Sequence, residues 1–250
     1  MPATQDSDKT GSPPTPYDQW DRLNGRIAER HMTWAEVSAE LIEVIQHIDS
    51  LRKVDRIPEG LYRQKGNRFR DTIRMLILAR SGMLMPERKV SGRTDAHKVD
   101  LAWPKGGPVQ VALEAKMIGS PAHIRGEKSY KERPISIDLD KRMKEVKYTA
   151  IDLKRWSVPE EILGWTRWRD STPPRFGVAL CMRLGAKERI PRLTKKLDGI
   201  SEYADAIGVA IYTERSRGRL DWVDQERIGL PSPGDLVDEV VRWARHQPAT

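Results

Sequence analysis

The spacing of apolar residues changes from helical to extended at about residue 98, and this change constrains the fold more than any other feature of the chain. Two extended, largely apolar segments follow, at residues 98–103 and 109–117, and the stretch between them is PKGGP. A stretch rich in Pro and Gly between two such segments is typical of a turn. We therefore predict a β-hairpin here.

Helices and further strands surround the predicted hairpin. Apolar periodicity and helix-ending residues predict the following elements: a helix over residues 60–80, a polar loop over 119–137, a helix over 138–156, buried strands over 176–182 and 206–212, a helical segment over 186–203 between them, and a last helix over 233–245. Helices that alternate with strands in this way indicate an α/β fold with a mixed sheet.

The N-terminal part of the chain differs from the rest. Residues 1–16 are rich in Pro, Ser, Thr and Asp and are predicted to be a disordered tail, and residues 17–56 are predicted to be a helical segment. From Trp34 to Leu51 the apolar residues recur at steps of three and four, and Thr33 precedes them as an N-cap. This helical extension either packs onto the main domain or forms a dimer seam.

The charge of the chain favours a polyanionic partner. The net charge is +8, yet residues 1–50 hold four Lys/Arg against nine Asp/Glu, so the remaining residues carry +13. A basic excess of this kind is typical of nucleic-acid-binding proteins, although a solvated Lys/Arg-rich surface produces it as well. If the chain binds nucleic acid, we expect the contact surface beyond residue 50.

Cysteine content and hydropathy bear on the compartment. Cys181 is the only cysteine, which rules out an internal disulfide, and it lies in an apolar run where a buried thiol is expected. No run approaches the ~18–20 apolar residues of a membrane span. We expect an intracellular, cytoplasmic protein without a membrane partner.

Three charged residues interrupt the two predicted strands. Asp100 breaks the first strand, and Glu114 and Lys116 project from the same face of the second, opposite the face that carries Val111 and Leu113. Charges in half-buried strands are costly unless they pair or bind a metal. An ordinary salt bridge would explain them, and so would a catalytic cluster.

The order of these residues resembles the PD-(D/E)XK nuclease superfamily, which includes many restriction endonucleases. The resemblance covers about residues 60–215: a helix, then Asp100, a turn, and Glu114-Ala115-Lys116 after apolar residues. It implies a restriction-endonuclease-like domain over residues 57–250. Two positions depart from the family pattern, because Val99 stands where a Pro is common, and Arg70 stands where the first helix often carries a Glu. Glu59 or Asp71 could supply that carboxylate instead.

The resemblance implies a Mg²⁺-dependent DNA endonuclease of restriction type. Asp100 and Glu114 would bind the metal together with the backbone carbonyl of Ala115, since Mg²⁺ prefers oxygen ligands, and Mn²⁺ could substitute. Lys116 would orient the nucleophile or stabilise the transition state. The chain contains no phosphate-binding loop of NTPases, no dinucleotide-binding loop and no serine-hydrolase elbow.

Basic residues near the cluster are candidates for contacts to double-stranded DNA. Because phosphates attract Lys and Arg, six residues are predicted to bind the backbone. They are Lys98, Lys105, Arg125, Lys128, Lys141 and Lys144. A solvated helix face is the alternative interpretation.

Other functions share much of this pattern. A DNA-repair or junction-cleaving nuclease of the same fold would carry the same cluster, and a non-catalytic DNA-binding protein could keep the charges as an ion pair. A homodimer is expected if both strands of a duplex are cut, since each site serves one phosphodiester.

Overall fold

The computed structural model describes residues 15–92, 94–133, 135–154 and 173–245. Its helices are α1 (Asp18–Arg30), α2 (Trp34–Lys53), α3 (Glu59–Tyr62), α4 (Lys65–Ser81), α5 (Ile135–Lys154), α6 (Ile190–Asp198), α7 (Gln225–Ile228) and α8 (Pro233–Arg245). Its strands are β1 (Arg88–Ser91), β2 (Ala96–Val99), β3 (Leu101–Trp103), β4 (Val111–Ile118), β5 (His123–Arg125), β6 (Lys128–Tyr130), β7 (Arg175–Leu184), β8 (Ala206–Glu214) and β9 (Leu220–Trp222).

A five-stranded mixed sheet forms the centre of the fold. Its strand order is β3-β4-β7-β8-β9. The three central strands run parallel, and the short edge strands β3 and β9 are antiparallel to their neighbours. Strands covered on both faces are apolar throughout, as β7 is over nearly its whole length. The predicted α/β class, mixed sheet and flanking helices are therefore confirmed.

Helices cover both faces of the sheet, so the fold has three layers. Val111, Leu113 and Ala115 of β4 belong to one core together with α1, α2, α4 and α8. Ala112 and Ile118 of the same strand belong to the other core, which α5 and α6 complete. The alternation of neighbouring residues between the two cores is the period of an extended strand, and it matches the faces predicted from the sequence.

The N-terminal helices pack onto the rest of the chain. Thr33 caps α2 through a capping box with Glu36, as its position predicted for the N-cap. In α1 the buried Trp20 indole donates a hydrogen bond to the Thr72 hydroxyl of α4 at 2.8 Å, and this hydroxyl donates to Asn24 at 2.8 Å. The apolar stripes of both helices are buried within the chain, so the structure favours packing over the dimer seam.

Two predicted elements are wrong in part. The polar loop over 119–137 contains the hairpin β5–β6 and the first turn of α5, because three-residue strands with polar side chains leave no apolar alternation to detect. The single helix over 60–80 is two helices. At the break the amide of Gln64 bonds to the carbonyl of Leu61, a tight three-residue step, and Gly66 favours helix weakly.

Other predicted elements are confirmed, with bounds that agree within one or a few residues. Some predictions concern residues outside the described ranges. Helix α8 has the predicted bounds, and both buried strands are present but longer. The helical segment predicted over 186–203 is helical at α6. Residues 1–14 of the predicted tail and residues 155–156 of the predicted helix are outside the described ranges. Among the helices that the structure describes, none has the length and apolar character that crossing a bilayer requires.

The buried hydrogen bonds between α1 and α4 predict the effect of Thr72→Val. The variant keeps the shape of the side chain but leaves the Trp20 indole without an acceptor, which costs about 1–3 kcal/mol of unfolding free energy. Urea denaturation measures it. Thr194→Val is the matched control, because the Thr194 hydroxyl bonds to carbonyls of its own helix, and its effect should stay within about 0.5 kcal/mol. Equal losses would contradict the prediction.

Candidate active site

Asp100 lies where the predicted first strand of the hairpin changes partner. Residues 98–103 were predicted as one strand, but β2 pairs with β1 while β3 pairs with β4, and Asp100 belongs to neither strand. The pairing of Leu101 with Leu113 places Asp100 one step further along the ladder, beside Glu114. The change of partner therefore positions this carboxylate at the edge of the central sheet.

The structure brings the three predicted catalytic residues together. The ammonium group of Lys116 lies 2.7 Å from Asp100 Oδ2 and 2.5 Å from Glu114 Oε2. The amide of Ala115 also donates to Asp100 Oδ2, at 3.0 Å. The Glu114 side chain is only 7% exposed, whereas those of Asp100 and Lys116 are 18% and 24% exposed. Asp100 and Lys116 are thus open to a ligand, with Glu114 behind them.

The environment separates the pKa values of the two carboxyl groups. Burial and the neighbouring charge of Asp100 raise the pKa of Glu114 to about 8. Burial also opposes ionisation of Asp100, but Lys116 and the Ala115 amide outweigh it and lower the pKa of Asp100. Burial works against the Lys116 ammonium, yet Glu114 and Asp100 raise the pKa of Lys116. At neutral pH, Asp100 and Lys116 are therefore charged, and Glu114 is protonated.

The donor atoms at this place fit a hard divalent cation. The carboxyl groups of Asp100 and Glu114 converge on the Lys116 ammonium group. A Mg²⁺ ion at that point would be attracted by oxygen atoms of both side chains. In an extended strand the N–H and C=O of one residue leave the same edge, so the Ala115 carbonyl faces the Asp100 side, beyond the end of β3. The described residues contain no group of three or more His, Cys, Asp or Glu side chains that could hold a metal. A backbone oxygen or water would have to complete the ligand set.

Neither carboxylate considered as an extra ligand is free. Glu59 lines the same cleft as Asp100 and Lys116, but it pairs with Arg52 and Arg63. Asp71 pairs with Arg70 and Arg74. Arginine guanidinium groups hold such carboxylates in fixed positions. The site therefore consists of two carboxylates and one ammonium group.

Asp100, Ala115 and Lys116 line a cleft with a volume of about 890 Å³. Its walls come from the end of α2, from α3, α4, the segment after β4, the β5–β6 hairpin and α5. Among the described residues that line it, cationic side chains outnumber carboxylates by ten to four. The cations are Arg52, Arg63, Lys65, Arg70, Lys116, Arg125, Lys131, Arg133, Lys141 and Arg142. A cleft of this charge concentrates polyanions.

Two of the six predicted DNA-binding residues line this cleft. They are Arg125 and Lys141. The other four lie outside it: Lys98, which pairs with Glu87, and the exposed residues Lys105, Lys128 and Lys144. Four of the six residues therefore do not line the cleft, because proximity along the chain does not fix where a side chain points.

Most cations of the cleft were not predicted. Asn67 and Arg70 lie one turn apart on α4 and both line the cleft, and that helical spacing was a usable signal. Arg52 and Lys65 are buried and gave no signal, because nothing in the sequence around them distinguishes them from exposed basic residues. Only the fold shows that these positions reach the cleft.

No protein-family model, no curated protein and no solved structure matches the chain. What the cleft does must therefore be argued from its geometry and charge.

The raised pKa of Glu114 predicts how stability depends on pH. Below about pH 4 Glu114 is protonated in both states, and between about pH 4 and its folded pKa of about 8 only the unfolded chain releases the proton. Ionisation then favours the unfolded state, so the wild type loses stability over this range. Glu114→Gln removes that loss.

Urea denaturation in EDTA measures this effect. The stability of Glu114→Gln minus that of the wild type should rise by more than about 1 kcal/mol from about pH 5 to pH 8 and then level off. Glu226→Gln, at an exposed position on α7, should show no such rise. A difference that stays flat, or that falls with rising pH, would show that Glu114 ionises normally.

Proposed function

We propose that this chain is a Mg²⁺-dependent DNA endonuclease of restriction type that hydrolyses phosphodiester bonds. The observation that carries the proposal is the convergence of Asp100, Glu114 and Lys116 at the edge of a strongly cationic cleft. Carboxylates repel a phosphate backbone. Asp100 and Glu114, beside a cleft lined by ten cations, therefore call for a role other than binding DNA.

The fold supports the same proposal at a coarser level. We infer a restriction-endonuclease-like domain of the PD-(D/E)XK kind over residues 57–250, because Asp100 and the Glu-x-Lys sequence of 114–116 lie on adjacent parts of one mixed sheet. Residues 17–56 would then be an extension that covers one face of this domain. The cationic cleft opens at the end of β4, next to the candidate catalytic residues.

Each residue has a distinct task in this proposal. Asp100, Glu114 and the Ala115 carbonyl would hold Mg²⁺ or Mn²⁺, which activates water and neutralises charge on the scissile phosphate. Lys116 orients the attacking water and stabilises the negative charge that develops on the phosphate. Arg125 and Lys141 hold the DNA backbone in the cleft.

DNA binding without cleavage is the second candidate function. The close contacts of Lys116 with both carboxylates are also those of a structural ion pair, which would need no metal. A DNA-repair or junction-cleaving nuclease would share the first mechanism and differ in substrate. Activity measurements separate cleavage from binding.

Plasmid cleavage tests the proposed activity. The wild type should nick or linearise plasmid DNA in the presence of Mg²⁺ or Mn²⁺, and EDTA should abolish this cleavage. Lys116→Ala and Asp100→Asn each remove a group that stabilises the transition state, so the rate should fall by about 100- to 1,000-fold.

Lys195→Ala is the control for this assay, because it removes an exposed lysine of α6 that does not line the cleft. It should cleave at the wild-type rate. A wild type that retains DNA but leaves it intact under every condition would support the second candidate function.

Two lysines of α5 test where DNA binds. Lys141 lines the cleft and Lys144, one turn further, does not. In EDTA, Lys141→Ala should weaken duplex binding and reduce the slope of log K against log salt by about one, whereas Lys144→Ala should change neither. Fluorescence anisotropy over a salt series measures both. The cleft would be wrong as the DNA site if Lys144→Ala had the larger effect.

A further inference from the structure

The β5–β6 hairpin separates the candidate active-site cleft from a second cavity. The pairing of His123 with Tyr130 and of Ile124 with Ser129 puts the two pairs on opposite faces of the hairpin. Tyr130 lines the cleft, Ile124 and Ser129 line the neighbouring cavity of about 490 Å³, and His123 lines both. Tyr130 is thus on the cleft side of the hairpin, and His123 lies between the two cavities.

The face of the hairpin with Tyr130 carries a stacked pair of aromatic rings. The rings of His123 and Tyr130 are nearly parallel, at 5°, with centroids 4.8 Å apart. Tyr130 belongs to neither hydrophobic core and is 41% exposed although His123 covers one side of it. Burial does not explain an aromatic ring at this position, in the wall of a cleft lined by cations.

Hydrogen bonds fix the inner ring of the pair. Arg52 donates to His123 Nε2 at 2.7 Å, and the other ring nitrogen lies 3.3 Å from the Pro121 carbonyl. A guanidinium group can only donate, so Nε2 accepts and Nδ1 carries the proton. Arg52 is itself buried and paired with Glu59. The stacked pair is thus held in place before any ligand arrives.

The turn of the hairpin is also attached to the body of the protein. The amide of Gly126 donates to the Asp55 carboxylate at 3.1 Å, and Ser120 bridges Arg133 where the chain enters and leaves the hairpin. A platform that is already ordered loses little entropy on binding. The hairpin therefore has the properties of a preformed binding surface.

We propose that Tyr130, supported by His123, is a stacking platform for an unpaired base of a DNA strand that lies in the cleft. The cations of the cleft attract phosphates, and an aromatic ring offers what a base requires for stacking. A base inside a closed duplex is already stacked on both faces, so only an unpaired base can use the platform. The inference rests on the proposed function, because it requires that the cleft binds DNA.

This proposal narrows the substrate class, and it favours the DNA-repair or junction-cleaving form of the proposed nuclease over the restriction type. It predicts a preference for DNA with unpaired nucleotides beside the cleavage position, such as single strands, gaps or single-strand extensions, over fully paired duplex. Stacking on one ring is tolerant of sequence, because every base has an aromatic face. The preference should therefore concern the form of the DNA more than its sequence.

Binding of two oligonucleotides in EDTA tests the platform without cleavage. One is a single strand, and the other is a duplex of equal length whose ends are closed by non-nucleotide linkers, so that it contains no unpaired base. Tyr130→Ala should weaken binding of the single strand by about 5- to 100-fold and change binding of the closed duplex by less than about 2-fold. Tyr130→Phe keeps the ring and should bind as the wild type does.

Two further variants act as controls. Tyr130→Leu keeps apolar area but lacks an aromatic face, so it should behave as Tyr130→Ala, and it serves in its place if that variant does not fold. Tyr148→Ala removes another exposed tyrosine, on α5, whose ring contacts His97 outside the cleft, and it should bind both oligonucleotides normally.

The outcomes separate this inference from the proposed nuclease activity. Equal losses on both oligonucleotides, no loss on either, or a wild type that binds no single strand would overturn the platform. Selective loss on the single strand from a protein that does not cleave DNA would support the platform and overturn the nuclease.

Discussion

Two carboxyl groups that lie side by side at the edge of one sheet cannot both ionise at low cost unless a cation lies between them, and the candidate site depends on this constraint. Asp100 and Glu114 are brought side by side where solvent screens their repulsion only in part. Lys116 compensates the charge of Asp100, while burial and the charge of Asp100 raise the pKa of Glu114 to about 8. A divalent cation would compensate both carboxylates more strongly, and the cationic cleft would attract phosphate groups to it.

The topology of the sheet explains why the cleft lies there. The strands β4, β7 and β8 are parallel, so their carboxyl ends meet at one edge, the usual place for ligands in an open α/β sheet. The chain leaves β4 just after Lys116 and forms the β5–β6 hairpin at that edge. The candidate catalytic residues, the cations and the stacked pair His123 and Tyr130 therefore share one side of the molecule.

Elements with a clear apolar period were predictable from the sequence, and elements defined by contacts were not. Helix α8 and strands β7 and β8 were found because burial shapes every residue of their sequence. The charged residues Asp100, Glu114 and Lys116 stood out because they interrupt strands. The β5–β6 hairpin and the buried Arg52 went undetected, because short polar strands and a cation inside a helical stripe acquire their roles only through distant partners.

Diffraction from crystals soaked in Mn²⁺ tests the central claim most directly, because the anomalous signal locates the ion without reference to activity. We predict a peak within ligand distance, about 2.0–2.3 Å, of carboxylate oxygens of both Asp100 and Glu114, with the Lys116 ammonium displaced from between them. A fully soaked crystal in which Lys116 keeps both contacts and no peak lies beside the two carboxylates would contradict it.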